Sequence, residues 1–197
     1  MSVWEDVVGQ ESAVAAFTAA AQAARQAAQQ REAQTAAGLA PEGARDGGAG
    51  FAAAGLAMTH AWLVTGPPGS GRSNAARAFA AALQCTGPVP GCGQCKPCRD
   101  VMAGSHPDVV RLATEKLIIT MEEVKTLIGE AQRRPWTGRW RVILVEDADR
   151  MAERTTNVLL KSIEEPPPQT VWLLCTPRRR RPAHHPLPLP PGDAADP

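Results

Sequence analysis

Four short apolar runs are spaced along this chain, and between them apolar residues recur at intervals of three and four. Ala61-Trp-Leu-Val-Thr65, Val109-Val-Arg-Leu112, Trp140-Arg-Val-Ile-Leu-Val-Glu146 and Thr170-Val-Trp-Leu-Leu-Cys-Thr176 read as buried strands. The helical spacing falls elsewhere. Val14, Ala15, Phe17 and Thr18 can cover one face of a short helix after Val7-Val8-Gly9-Gln10, and Ala75, Ala76, Phe79, Ala82 and Leu83 do so between Arg72 and Gln84. Thr120-Met-Glu-Glu123 has the spacing of a capping box, with Val124, Leu127, Ile128 and Ala131 behind it until Pro135 intervenes. A further helix from about Arg154 to Glu165 stops at Pro166-Pro167-Pro168. Strands alternating with helices predict an α/β fold, a mostly parallel sheet with helices on both faces.

Two segments break this pattern. Between residues 21 and 57 alanine dominates, mixed with Gln, Arg and Glu, and gives way to the Gly-rich stretch 38–50, so the segment reads as an insertion or linker with little to bury. Residues 177–197 hold seven prolines and four arginines without a periodic apolar face, and read as a disordered tail. Residues 1–176 then form one domain.

Charge narrows the options. Lys plus Arg is 21 against 20 for Asp plus Glu, a near-neutral balance that argues against a generally basic nucleic-acid coat. No apolar run approaches the roughly 20 residues that span a bilayer, and Met-Ser-Val-Trp-Glu-Asp has no basic or apolar leader character. A cytoplasmic protein without membrane contact is the expectation.

Gly66-Pro-Pro-Gly69-Ser70-Gly71-Arg72-Ser73 fits the phosphate-binding pattern Gly-x-x-x-x-Gly-Lys-Ser/Thr except that Arg72 stands in the Lys position. Glycines there let backbone N–H groups converge on phosphate oxygens at a helix N-terminus, and the Ser73 hydroxyl can ligate Mg²⁺. Arg72 keeps the charge but replaces a compact ammonium with a bulky plane. Such a site also needs acids at the end of a neighbouring strand, where Glu146 and Asp147 stand. Their order, Glu then Asp, shortens the water-orienting side chain, and a shift of about 1 Å costs on the order of 10²-fold in rate. Two departures in one site point to weakened hydrolysis of ATP. The plainer reading leaves these acids as solvated strand-end residues.

Cys85, Cys92, Cys95 and Cys98 offer four thiolates amid Gly and Pro turns, the donor set of a closed structural Zn²⁺ site; an iron-sulfur cluster or free thiols are the alternatives. His106 could replace one cysteine but sits in a His-Pro-Asp turn, and Cys175 reads as core.

The phosphate loop, the four-cysteine insertion after its helix and Leu159-Leu-Lys-Ser-Ile-Glu-Glu-Pro-Pro167 together resemble the bacterial clamp-loader subunits, AAA+ proteins of the DNA polymerase III holoenzyme. Gly104-Ser-His-Pro-Asp108 is most similar to the delta-prime type, with the ATP-hydrolysing gamma/tau type as the rival. The resemblance implies a P-loop AAA+ core with a small zinc insertion at 85–98. It places Val8, Gly9 and Gln10 near the adenine, Gly66 to Ser73 on the phosphates, Glu146 and Asp147 as the Mg²⁺ and catalytic acids, and Thr176 as a polar sensor. Cys85, Cys92, Cys95 and Cys98 match the zinc ligands. It also implies gamma/tau and delta subunits as partners and, through them, the sliding clamp and primer-template DNA, within a holoenzyme whose nucleotidyl transfer is performed elsewhere. Family members continue past the sensor strand to a trans-acting Ser-Arg-Cys motif, a last core strand, a lid and a collar. Those features are missing after Thr176, so the expectation is a frameshifted or truncated C-terminus.

Another class of function also fits the residues. Arg133, Arg134, Trp136, Arg139, Trp140 and Arg141 could form the surface of a zinc-dependent nucleic-acid binding module.

Overall fold

The computed structural model describes residues 2–7, 9–37, 59–114 and 116–177. Its elements are α1 (Glu11–Ala36), β1 (Ala61–Thr65), α2 (Arg72–Gln84), α3 (Lys96–Met102), β2 (Val109–Leu112), α4 (Met121–Ala131), β3 (Arg141–Val145), a 3-10 turn (Ala148–Arg150), α5 (Glu153–Glu164) and β4 (Thr170–Thr176). All three strand pairings are parallel and the order across the sheet is β1-β4-β3-β2. Every residue of β3 and β4 is buried, whereas β1 alternates and β2 is half-buried. Continuous apolar strands belong in the centre of a sheet covered on both faces, and these two occupy it.

The pleat divides the core into two layers. Val142, Leu144, Val171, Leu173 and Cys175 pack with α1 and α2, while Ile143, Val145, Trp172 and Leu174 pack with α4 and α5. Thr120 caps α4 as its spacing predicts, its side chain accepting from Glu123 N–H while Glu123 Oε2 accepts from Thr120 N–H at 2.8 Å.

The alanine-rich segment differs from its reading as a linker. Helix α1 runs through to Ala36; Ala20, Ala21, Ala24, Ala27 and Ala28 are buried along it, the first three packing in the same layer as α2. Alanine has little area to bury per residue but lets two helix backbones come close, so a stripe of it forms an interface that low hydrophobicity conceals. The rest of that segment, 38–57, lies outside the described residues, as does the tail beyond Pro177.

At the head of α1, Phe17 stacks on Phe79 with centroids 4.6 Å apart and meets Trp62 edge-on at 5.5 Å, joining α1, α2 and β1. Helix α3 has no counterpart in the sequence reading. Its seven residues begin inside the cysteine cluster and carry Cys98 in the first turn, with Pro97 beside it and a Lys96–Asp100 ion pair at 2.5 Å.

Candidate functional site

The candidate phosphate loop, residues 66–73, lies where the parallel sheet delivers it, at the carboxyl end of β1. Gly66 N–H donates to the Thr176 carbonyl at 3.3 Å, so the loop's entry is tied to the end of β4. A Cβ at Gly66 would run into Ser70 Oγ, and Gly71 precedes α2 in the left-handed conformation (φ 78°). The Gly71 position therefore favours glycine by conformation, whereas a side chain at Gly66 would have to displace the Ser70 hydroxyl. From the N-terminal segment, Gln10 Nε2 donates to the Ser70 carbonyl, which places Gln10 against the loop; Gly9 has φ +74°, and Val8 lies outside the described residues.

Arg72 begins α2 and folds back across the loop. Its Nη1 donates to the carbonyls of Pro67 (3.1 Å) and Gly66 (3.4 Å), and its Nη2 to Asp147 Oδ1 (2.7 Å). Asp147 stands just beyond β3 with φ 52°, a conformation uncommon for a non-glycine residue, and also faces Arg150 at 3.4 Å. Arg150 in turn donates to the carbonyls of Thr114 and Lys116, both at 3.2 Å. Glu146 is held by Arg111, the outward residue of β2, at 2.7 Å, and that bond keeps the Arg111 guanidinium even more firmly protonated. Each of the two acids thus has an arginine partner. Loop backbone and acids adjoin as expected, but the loop's own cation bridges them. Ser73 lies in the first turn of α2, and Thr176 ends β4, buried beside the loop. Cys175 is buried in β4, where burial pushes its thiol up to about 12, as befits a core residue.

The four cysteines gather at the opposite end of α2, roughly 20 Å from the loop along a 13-residue helix. Their Sγ atoms all lie within 4.8 Å of one another, with Cys85 and Cys95 at 3.9 Å, and none of the five cysteines forms a disulfide. A tetrahedral ion bound at about 2.3 Å requires sulfurs about 3.8 Å apart, so the cluster fits such an ion. Gly87 makes room, since a Cβ there would lie 2.6 Å from Cys92 Sγ. Burial opposes ionisation of Cys95, but hydrogen bonds centred on Cys98 and Thr86 outweigh it and bring the thiol down to about 6; burial pushes Cys98 up. His106 stays outside the cluster, its Nδ1 accepting Asp108 N–H at 3.1 Å in the turn.

Other residues organise this region through contacts that the sequence does not announce. Arg25 of α1 donates to the carbonyls of Cys85 (2.9 Å), Gly87 (2.9 Å) and Pro88 (3.0 Å), clasping the cysteine loop to a helix sixty residues earlier. Asp108 is fully buried and accepts from the backbone N–H groups of Trp136, Thr137 and Gly138 at 2.6–2.8 Å. Of the residues of the nucleic-acid reading, Trp140 and Arg141 are buried, Arg141 being held by Glu130 and the Pro107 carbonyl, so that reading loses two of its six surface residues.

Among the described residues no helix is long and apolar enough to cross a membrane. The family described as DNA polymerase III, delta subunit, matches residues 52–181. DNA polymerase III subunit delta' of Pseudomonas aeruginosa is 40% identical over 119 residues, 58% of this chain and 36% of the relative. The delta' subunit of Escherichia coli is 34% identical over 121 residues, 59% of this chain and 36% of the relative, and the tau/gamma subunit of Haemophilus influenzae 32% identical over 121 residues, 60% and 17%. The chain therefore spans about a third of the length of the delta' relatives it matches. Among solved structures, a DNA polymerase III gamma subunit-related protein of Thermotoga maritima aligns with 22% identity and a TM-score of 0.43, over 60% of this chain and 34% of that one. By the extent of the family match, the chain belongs to the DNA polymerase III delta-subunit family, and within it is similar to the delta' subunits.

Proposed function

We propose that this chain serves DNA replication in the cytoplasm as a delta-prime-like clamp-loader component, assembling with gamma/tau and delta subunits to place a sliding clamp on primed DNA. Its own nucleotide site is silent in this reading. The observation that supports silence is the Arg72–Asp147 pair at 2.7 Å, which joins the cation of the phosphate loop to the acid that an ATPase would use. Together with the Arg111–Glu146 pair it leaves both acids neutralised by arginines, a poor ligand set for Mg²⁺. The residues therefore fit bound ATP and Mg²⁺ poorly, although the loop backbone retains a phosphate cradle. Zn²⁺ fits Cys85, Cys92, Cys95 and Cys98, where it would cross-link a loop that has little core of its own.

The test is nucleotide binding and ATP turnover by the purified chain, alone and with the other clamp-loader subunits. No saturable turnover is expected of the chain alone, and Asp147→Ala should leave unchanged the rate that the mixture with gamma/tau subunits shows. Saturable turnover abolished by Asp147→Ala would replace this reading with that of a gamma/tau-like ATPase. Pull-down of gamma/tau and delta subunits tests the assembly separately.

A further inference from the structure

A cavity of about 360 Å³ opens between α2, α3 and β2, and neither residues 66–73 nor the four cysteines line it. Its wall carries Arg77, Arg111 and His106 over an apolar floor that includes Val101, Met102 and Leu144, and no acidic residue lines it. Arg77 Nη2 reaches Asn74 Oδ1 at 3.2 Å, but its Nε is buried without a hydrogen-bond partner, and Arg77 forms no ion pair among the described residues. Arg111 donates from Nε to Glu146, and its Nη groups make no hydrogen bond among the described residues. His106 accepts the Asp108 N–H at Nδ1, so as a neutral ring it carries its proton on Nε2; burial favours that neutral form. Every polar side chain on the wall is thus a donor.

We propose that this cavity binds an organic carboxylate bearing a compact apolar group. Two guanidinium groups and one imidazole N–H would take the carboxylate oxygens. The valine, methionine and leucine side chains would receive the apolar body, and the volume lies at the small end of ligand pockets. A free small molecule and the C-terminus of a partner chain share this chemistry. The probes separate them, benzoate for the first and N-acetylphenylalanine for the second.

The experiment is an NMR titration of the full chain with each probe, read at the amides of Ala103 and Gly104, which also line the cavity. One probe or both should shift these amides saturably, with affinity in the millimolar range, and Arg77→Ala should weaken it about tenfold. Arg77→Lys should recover part of the loss, because charge without the planar fork remains. Shifts confined to the Gly69 and Gly71 amides of the phosphate loop, or no saturation with either probe up to about 50 mM, would overturn the proposal.

Discussion

Asp108 shows how much a single buried carboxylate can decide. Three backbone N–H groups and the Thr137 hydroxyl point at it, and Arg141 lies 3.6 Å away. Burial works against its charge, but the hydrogen bonds from residues 136–138 outweigh it and lower its pKa. A carboxyl depressed on folding stabilises the protein above its unfolded pKa of about 3.9, and the contribution fades as pH falls through the lower folded value. Asp108→Asn would set an amide NH₂ against backbone donors, so a loss of about 3 kcal/mol in urea unfolding at pH 7 is expected. The gap between wild type and variant should narrow below about pH 4; a gap independent of pH would show that the charge is not the cause. Arg72 is decisive in a different way. Replacing it by Lys would remove the fork that reaches the Pro67 carbonyl and Asp147 together, so Arg72→Lys should raise nucleotide affinity measurably, as read by calorimetry with ATP and Mg²⁺.

At the scale of elements, α1 carries the largest difference between pattern and packing. Periodicity in apolar residues marks a helix face only when the buried residues are more hydrophobic than their neighbours, and alanine occupies both the buried and the solvated sides of α1. Ala24 is 1% exposed, so Ala24→Leu should overpack the interface and cost about 1–3 kcal/mol, measurable as a lowered midpoint of thermal unfolding. The same change at an exposed position such as Ala33 should be nearly neutral. Apart from α3, the other elements were far more legible: α2, α5 and all four strands stand within two residues of their predicted bounds and α4 begins at its predicted cap, because apolar runs and caps act locally.

For the whole molecule, the cysteine loop and α1 form one mechanical unit through Arg25, with Ser2 and Val3 joining it at the Gly91 carbonyl. Removing a metal from the cluster should therefore loosen the N-terminal helix as well as the loop. A strong chelator is expected to lower the melting temperature by about 10 °C or more and to raise hydrogen exchange along residues 17–28, while β3 and β4 keep their protection. Exchange that rises only at 85–98 would show that the clasp transmits nothing.

The sequence alone determined the α/β class, the four strands, helices α2, α4 and α5, and the candidate loop and cysteine cluster, since each rests on residues close together in the chain. Even the departures at Arg72, Glu146 and Asp147 were visible there. Tertiary structure decided what those departures do. Arg72 and Asp147 are 75 residues apart, and only the parallel pairing of β1, β4 and β3 brings them to 2.7 Å. The partners Arg111 for Glu146, Arg25 for the cysteine loop and residues 136–138 for Asp108 were equally invisible, because a hydrogen bond between distant segments leaves no periodicity in either. Local order follows from neighbours in sequence; charge pairing and cavity shape follow from neighbours that folding itself creates.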